Sequence, residues 1–210
     1  SVARVVGCDD EETGEMLAHL YGKITQSSSS YVGSLEVAEA SKMVENLQRD
    51  IDIALANELA MVLPMIGVDV EDVLAAADTK WNFHRHSPGI GVGGHCIPVD
   101  PYYYISLAES VGYDSILSRT ARSINEQMPG HSIESIQSLL GLESLNGARV
   151  LVLGYSYKPN VGDIRETPIE HLVTGLKDKG AHPIIWDSLI EPGDFPHDSE
   201  VCDNPYGVSD

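Results

Sequence analysis

From Leu35 to about Ile66 the apolar residues recur at helical spacing, through Val37, Met43, Leu47, Ile51, Ile53, Leu55, Leu59 and Leu63, and no proline interrupts them before Pro64. A chain with this stretch is committed to one helix of roughly twice the usual length. Helices that long are buried on more than one side, by their own domain and by a second subunit. The expectation is a helical domain in which this helix also meets a second subunit.

Other helices are expected around it, over 9–24, over Val70–Ala77 with Asp69 as a cap, over Asp100 to about Val111 with Pro101 in its first turn, and over Asp114 to about Met128. Ser132–Leu140 either extends this last one or starts anew after Pro129 and Gly130. Ser27 to Ser30 reads as a polar break. The pattern changes at Ala148–Gly154, a short β-branched apolar run ending in glycine, the mark of a buried parallel strand. Pro168–Lys179 then reads as a helix and Pro183–Asp187 as a second strand. These two strands and one helix open a doubly wound α/β unit that needs several more strands. The fold class is therefore an α/β multidomain fragment, a central all-helical dimerisation domain followed by the start of a Rossmann-like domain. The expected parts are 1–27, 28–142 and 143–210.

Charge and cysteine usage narrow the function. Asp and Glu number 32 against 13 Lys and Arg, a net charge of -19 spread along the chain, which speaks against nucleic acid and anionic membrane as partners. It also fits a salt-rich cytoplasm, where screening removes the cost of self-repulsion. No run of about 18 apolar residues exists, so no membrane span is expected. Cys8, Cys96 and Cys202 have no CxxC spacing, which argues against a zinc site and a disulfide framework and for a reducing cytoplasm. The first residues lack the charge and apolar core of a signal peptide, and a chain beginning with Ser1 reads as a piece of something larger.

Three motifs carry chemistry. Pro88 to Tyr103 (PGIGVGGHCIPVDPYY) puts Cys96 at the end of a glycine-rich loop and Asp100 four residues on. Glycines admit positive φ and let backbone approach a ligand closely, so Cys96 is placed as a nucleophile and Asp100 as a group that orients water or caps the next helix. His95 favours the thiolate or simply packs in the loop. The formal GxGxxG match of Gly89, Gly91 and Gly94 is rejected as a dinucleotide site, because the polar run Asn82–Ser87 precedes it in place of a strand. Lys42, Asn46 and Arg49 share a face of the long helix at i, i+4 and i+7. They are either a solvated stripe paired with Glu39 or Glu45, or an electrophilic cluster facing a ligand. Finally, Gly154–Pro168 lies between a strand and a helix, where open sheets bind ligands, and its Lys158 and Arg165 suit phosphate oxygens.

In this order the motifs resemble the UDP-glucose/GDP-mannose dehydrogenase family, and within it the UDP-N-acetylhexosamine (UDP-N-acetylmannosamine-type) 6-dehydrogenases. The resemblance spans nearly the whole chain and is most specific in GVGGHCIPVDPYY and YKPNVGDIRETP. It implies a cytoplasmic, homodimeric, NAD-dependent enzyme that oxidises the C6 alcohol of a UDP-sugar to the uronate through a Cys96 thiohemiacetal and thioester. Lys42 and Asn46 would stabilise the oxyanion, with Lys42 moving protons, and Asp100 would assist water or Lys42. Arg49, Arg85, Gly93, Tyr157 and Lys158 would contact the UDP-sugar, Arg165 the NAD pyrophosphate, and no metal is implied. In the family's plan 1–27 would be the tail of an NAD-binding domain and 143–210 part of a UDP-sugar-binding domain.

The chain departs from the pattern in lacking a glycine fingerprint for NAD and the segment carrying the family's catalytic glutamate, so it is expected to be inactive alone. Many relatives carry His and Arg where Lys80 and Asn82 stand, which leaves the sugar open. The alternatives are a UDP-glucose 6-dehydrogenase, a non-catalytic helical dimerisation module, and a thiol acyl-enzyme. The last would need a partner histidine with an orienting carboxylate, and nothing near His84, His86 or His95 identifies one.

Overall fold

The computed structural model describes residues 2–196 and 200–207; the ends of the expected 1–27 and 143–210 segments lie outside them. The chain divides into two compact units, Ser1–Gln48 and Arg49–Asp210.

In the first unit β1 (Arg4–Val6) leads into α1 (Glu11–Thr25) and β2 (Ser29–Tyr31). The strands pair in parallel, Arg4 opposite Ser29 and Val6 opposite Tyr31. Asp10 caps α1, its carboxylate accepting from the Thr13 amide at 2.8 Å, and Glu11 and Glu12 sit where the helix dipole favours anions. Gly14 is required beneath Tyr31, since a methyl group there would lie 2.3 Å from the ring. The Tyr31 hydroxyl donates to the Cys8 carbonyl at 2.9 Å. The serine run is thus partly a strand and not the polar break expected of it. Three residues are too few to show an alternating pattern, so pairing with β1 decides.

The long helix α2 (Leu35–Val62) begins in this unit and ends in the second. Pro64 stops it, a single 3₁₀ turn covers Leu63–Ile66, and Gly67 closes that turn at φ 75°. Asp69 caps α3 (Val70–Ala77) through the Glu71 amide at 2.7 Å, as expected.

The cysteine loop leads to α4 (Asp100–Ser110) and α5 (Ile116–Leu139). Val99, not Asp100, is the N-cap of α4. Pro129 and Gly130 do not divide α5, which runs through them. Proline there removes the donor that would have met the Asn125 carbonyl. That carbonyl is where the cysteine loop packs, a methyl group on Gly91 falling 3.1 Å from it.

The second unit closes with β3 (Arg149–Leu153), α6 (Pro168–Asp178), β4 (His182–Trp186) and β5 (Glu200–Val201) in a parallel sheet of order β3-β4-β5. β5 is a strand that the sequence reading lacked. Val152, Tyr155, Leu172, Leu176, Ile185 and Phe195 form the core, joined by Ile133 from α5. The Tyr155 and Phe195 rings meet edge to face at 5.6 Å.

Candidate active site

Two loops of the second unit interlock. The glycines of the cysteine loop are places where a side chain has no room. On Gly93 a methyl group would lie 2.5 Å from Tyr157 Cβ and 2.7 Å from the Glu166 carbonyl. On Gly94, at φ 87°, it would meet the Tyr157 ring at 2.8 Å. The Gly94 amide donates to the Arg165 carbonyl at 3.1 Å. Two residues later the Cys96 thiol is exposed, and the Cys96 carbonyl accepts from the amides of Val99 (3.0 Å) and Asp100 (2.8 Å), which locks the turn into α4.

The opposing loop, from Gly154 to Thr167, is held at its base. The Asp187 carboxylate, at the end of β4, accepts from the amides of Tyr155 (2.9 Å) and Ser156 (3.1 Å) and the Ser156 hydroxyl (3.0 Å) through Oδ2, and from the Leu189 amide (2.8 Å) through Oδ1. Burial pushes this carboxyl up, but the donors from Tyr155, Leu189 and Ser156 together hold it below its ordinary value. At the far end buried Thr167 caps α6 and donates its hydroxyl to the Tyr155 carbonyl at 2.8 Å. Between these anchors the Asp163 carbonyl accepts from the Tyr157 amide at 3.2 Å, and Asn160 and Glu166 turn the chain at φ 61° and 50°. Arg165 folds back on Asp163, Nε to Oδ1 at 2.8 Å. Its hydrogen bonds hold the Asp163 carboxyl far below the usual carboxylate range, with a smaller contribution from His95, and Asp163 in return raises the guanidinium.

The expected site residues thus fall into groups. Gly93, Tyr157 and Arg165 come together beside Cys96. Lys158 is exposed on the same loop. Arg85 precedes the cysteine loop and pairs with Glu71 at 2.6 Å. Asp100 opens α4. On α2, Lys42 is exposed and pairs with Glu45 at 3.1 Å, Asn46 is buried and Arg49 half-buried. The pairing foreseen for a solvated stripe therefore holds at Lys42, whereas Asn46 is not solvated.

Other polar residues, absent from the sequence reading, hold the cysteine loop from beneath. Asn57 Oδ1 accepts from the Gly89 amide at 2.9 Å, and Asp50, Arg122 and Asn125 lie buried behind it. Their signal was available as polar residues at positions where helical periodicity asks for apolar ones. Burial works against both charges of the Asp50–Arg122 pair. At Asp50 it lifts the carboxyl above its ordinary value despite Arg122; at Arg122 the Asp50 charge prevails and raises the guanidinium. A cleft of about 610 Å³ opens beside the loop, lined by Val92, Tyr102, Arg122, Pro129, Pro168 and His171 among others. Among the described residues no three His, Cys, Asp or Glu side chains are grouped to hold a metal ion, and no helix is long and apolar enough to cross a membrane.

Residues 36–127 match the central domain of the UDP-glucose/GDP-mannose dehydrogenase family, and residues 151–209 match its UDP binding domain. UDP-N-acetyl-D-glucosamine 6-dehydrogenase of Pseudomonas aeruginosa is 36% identical over 100% of this chain and 48% of its own length. UDP-N-acetyl-D-mannosamine dehydrogenase of Methanocaldococcus jannaschii is 34% identical over 93% of this chain and 44% of its own. The solved structure of a UDP-glucose dehydrogenase from the hyperthermophilic archaeon Pyrobaculum islandicum matches with a TM-score of 0.87 at 28% identity, covering 97% of this chain and 48% of that one. The chain spans about half the length of the curated relatives it matches. With its helical part and its βαβ part matching successive domains of one family, the chain belongs to the UDP-glucose/GDP-mannose dehydrogenase family.

Proposed function

We propose that this chain is the central and UDP-binding portion of a UDP-sugar 6-dehydrogenase that takes a UDP-N-acetylhexosamine. The observation that carries the reading is the exposed Cys96 thiol on a glycine loop whose backbone packs against the Tyr157 side chain and hydrogen-bonds the Arg165 carbonyl. The relatives named for UDP-N-acetylglucosamine and UDP-N-acetylmannosamine support the choice of sugar.

Cys96 attacks the C6 aldehyde to give a thiohemiacetal, and after oxidation to the thioester water releases the uronate and the thiol. Lys42 and Asn46 stabilise the oxyanion at C6, and Lys42 carries protons. Asp100, at the first turn of α4, orients the water or Lys42. Arg49, Arg85, Gly93, Tyr157 and Lys158 hold the UDP-sugar, Arg85 by exchanging its exposed Glu71 partner for the ligand.

NAD is the hydride acceptor this reading requires. The β1–α1 turn does not fit its pyrophosphate, because Asp9, Asp10, Glu11 and Glu12 crowd that helix start with carboxylates. Arg165, exposed and held charged by Asp163, does fit a phosphate oxygen. Bound NAD would supply the oxidising equivalents, about two per sugar.

The reading extends to assembly and place. Residues 1–27 are the tail of an NAD-binding domain, 28–142 the helical domain and 143–210 the UDP-sugar domain. Val37, Val44, Leu55 and Val62 share one face of α2 and are each about half exposed, which supports a homodimer through that helix. Three free cysteines agree with a reducing cytoplasm.

The test is NAD reduction by the full-length polypeptide with a panel of UDP-sugars, beside its Cys96→Ser variant. One UDP-N-acetylhexosamine should yield about two NADH per sugar, and Cys96→Ser should stop before the acid forms. Turnover of UDP-glucose alone would move the protein to that branch. Failure with every UDP-sugar at every salt concentration would leave a helical dimerisation module.

A further inference from the structure

A chain of polar groups in the second unit, buried from Asn57 to Arg122 and exposed at Glu126 and Tyr102, reaches the cysteine loop on both sides of Cys96. It starts where the Gly89 amide donates to Asn57 Oδ1 at 2.9 Å. Asn57 Nδ2 donates to Asn125 Oδ1 at 2.9 Å, and Asn125 Nδ2 donates to the Asp50 carboxylate at 2.8 Å and to the Asp50 carbonyl at 3.0 Å. Arg122 Nη1 donates to the same Asp50 oxygen at 2.7 Å, and Arg122 Nη2 to Glu126 at 3.2 Å. The Tyr102 hydroxyl donates to Glu126 at 2.6 Å, and the Arg122 guanidinium lies 5.9 Å from the Tyr102 ring centroid. Tyr102 is on the first turn of α4, directly after the loop.

This arrangement is poorly suited to stability alone. Asp50 is wholly buried and Arg122 is 5% exposed, yet Asp50 Oδ2 and Arg122 Nε have no hydrogen-bond partner. A buried ion pair with unsatisfied atoms is commonly matched or bettered by apolar residues of the same volume. What apolar residues cannot supply is direction. The Asn57 oxygen fixes the Gly89 amide, and Glu126 fixes the Tyr102 hydroxyl. The loop between needs fixing from outside, since its glycines give it freedom at Gly91 and Gly94, both at positive φ.

We propose that Asp50, Asn57, Arg122 and Asn125 form a positioning relay that clamps both ends of the cysteine loop and sets where Cys96 presents its thiol. The relay acts through the backbone of the loop, which it meets at Gly89, and through Tyr102 just after it. Its catalytic meaning rests on the dehydrogenase reading above, but its mechanical effect does not.

The test uses the full-length polypeptide and two variants, Asn57→Ala at the entry and Tyr102→Phe at the exit, the second removing one oxygen atom. Amide hydrogen exchange is followed peptide by peptide beside the melting temperature. Asn57→Ala should speed exchange over 89–96 by about tenfold while the amides of β3 and β4 keep their rates. Tyr102→Phe should do the same over 97–102. Turnover of the UDP-sugar should fall through kcat with KM little changed, since the nucleophile is displaced and the sugar contacts are not. Unchanged loop exchange in both variants overturns the proposal. So does an increase spread evenly over α5, β3 and β4, which marks the relay as a stabiliser only. If no UDP-sugar is oxidised, the exchange measurement still decides the relay while the dehydrogenase reading falls separately.

Discussion

The amide of Gly94 donates to the carbonyl of Arg165 at 3.1 Å, and the Tyr157 ring covers the space where a Gly94 side chain would stand. The loop bearing the thiol and the loop bearing Arg165 are therefore one packed object.

Gly94→Ala should break that object. The substitution puts a side chain at φ 87°, within 2.8 Å of the Tyr157 ring. Strain and overpacking together should cost about 2–4 kcal/mol, read by denaturant unfolding. An unchanged midpoint would mean that Tyr157 moves aside freely.

Asp187→Ala should loosen the turn after β3. It strands the amides of Tyr155, Ser156 and Leu189, and about 1–3 kcal/mol of stability should go with them. The sign of the pH dependence follows from the lowered carboxyl. Asp187 stabilises the fold at pH above the unfolded value, near 3.8, and that contribution fades as pH falls through the lower folded value. Melting curves of the wild type and variant should thus converge on acidification.

Arg165→Ala should return the Asp163 carboxyl toward its ordinary value of 3.8. In the wild type the Asp163–Arg165 latch persists through pH 4 and is lost only well below it, because the folded carboxyl titrates lower than the unfolded one. Carbon-detected NMR titration of Asp163 checks this. A titration unmoved by the substitution would assign the shift to some other group.

Salt should raise the melting temperature. With a net charge of -19, self-repulsion acts over about 30 Å at 0.01 M salt and about 3 Å at 1 M. Melting scans across potassium chloride concentrations test it, and a flat profile removes the case for a salt-rich setting.

The elements with a long period were legible in the sequence. α2, α3 and α4 lie close to where apolar spacing, Pro64, Asp69 and Pro101 put them. β1, β2 and β5 were not, because strands of two or three residues carry no alternation and exist through their neighbours. Pro129 and Gly130 left extension and a fresh start open in the sequence, and α5 runs through them, with Gly91 packed at the Asn125 carbonyl that the proline frees. At the candidate site, glycine and strand-end patterns singled out Cys96 and Arg165, and the family resemblance alone singled out Tyr157. Asp50 and Arg122 stood out only as polar residues at apolar helical positions, and their pairing was not legible, since it joins residues 72 apart. Asp187 looked like an ordinary strand end, and its role appears only when the turn above it folds back.

That role of Asp187 has a consequence for the position it occupies. In dinucleotide folds an acidic residue at the end of the second strand of a βαβ unit receives the ribose hydroxyls and turns away a 2′-phosphate. β3, α6 and β4 have that connectivity, and Asp187 stands at that place. Its Oδ2 already holds three donors and its Oδ1 a fourth. Asp187 at that place therefore gives most of its accepting capacity to the turn above it, so that the residue at the sugar-reading position serves the architecture.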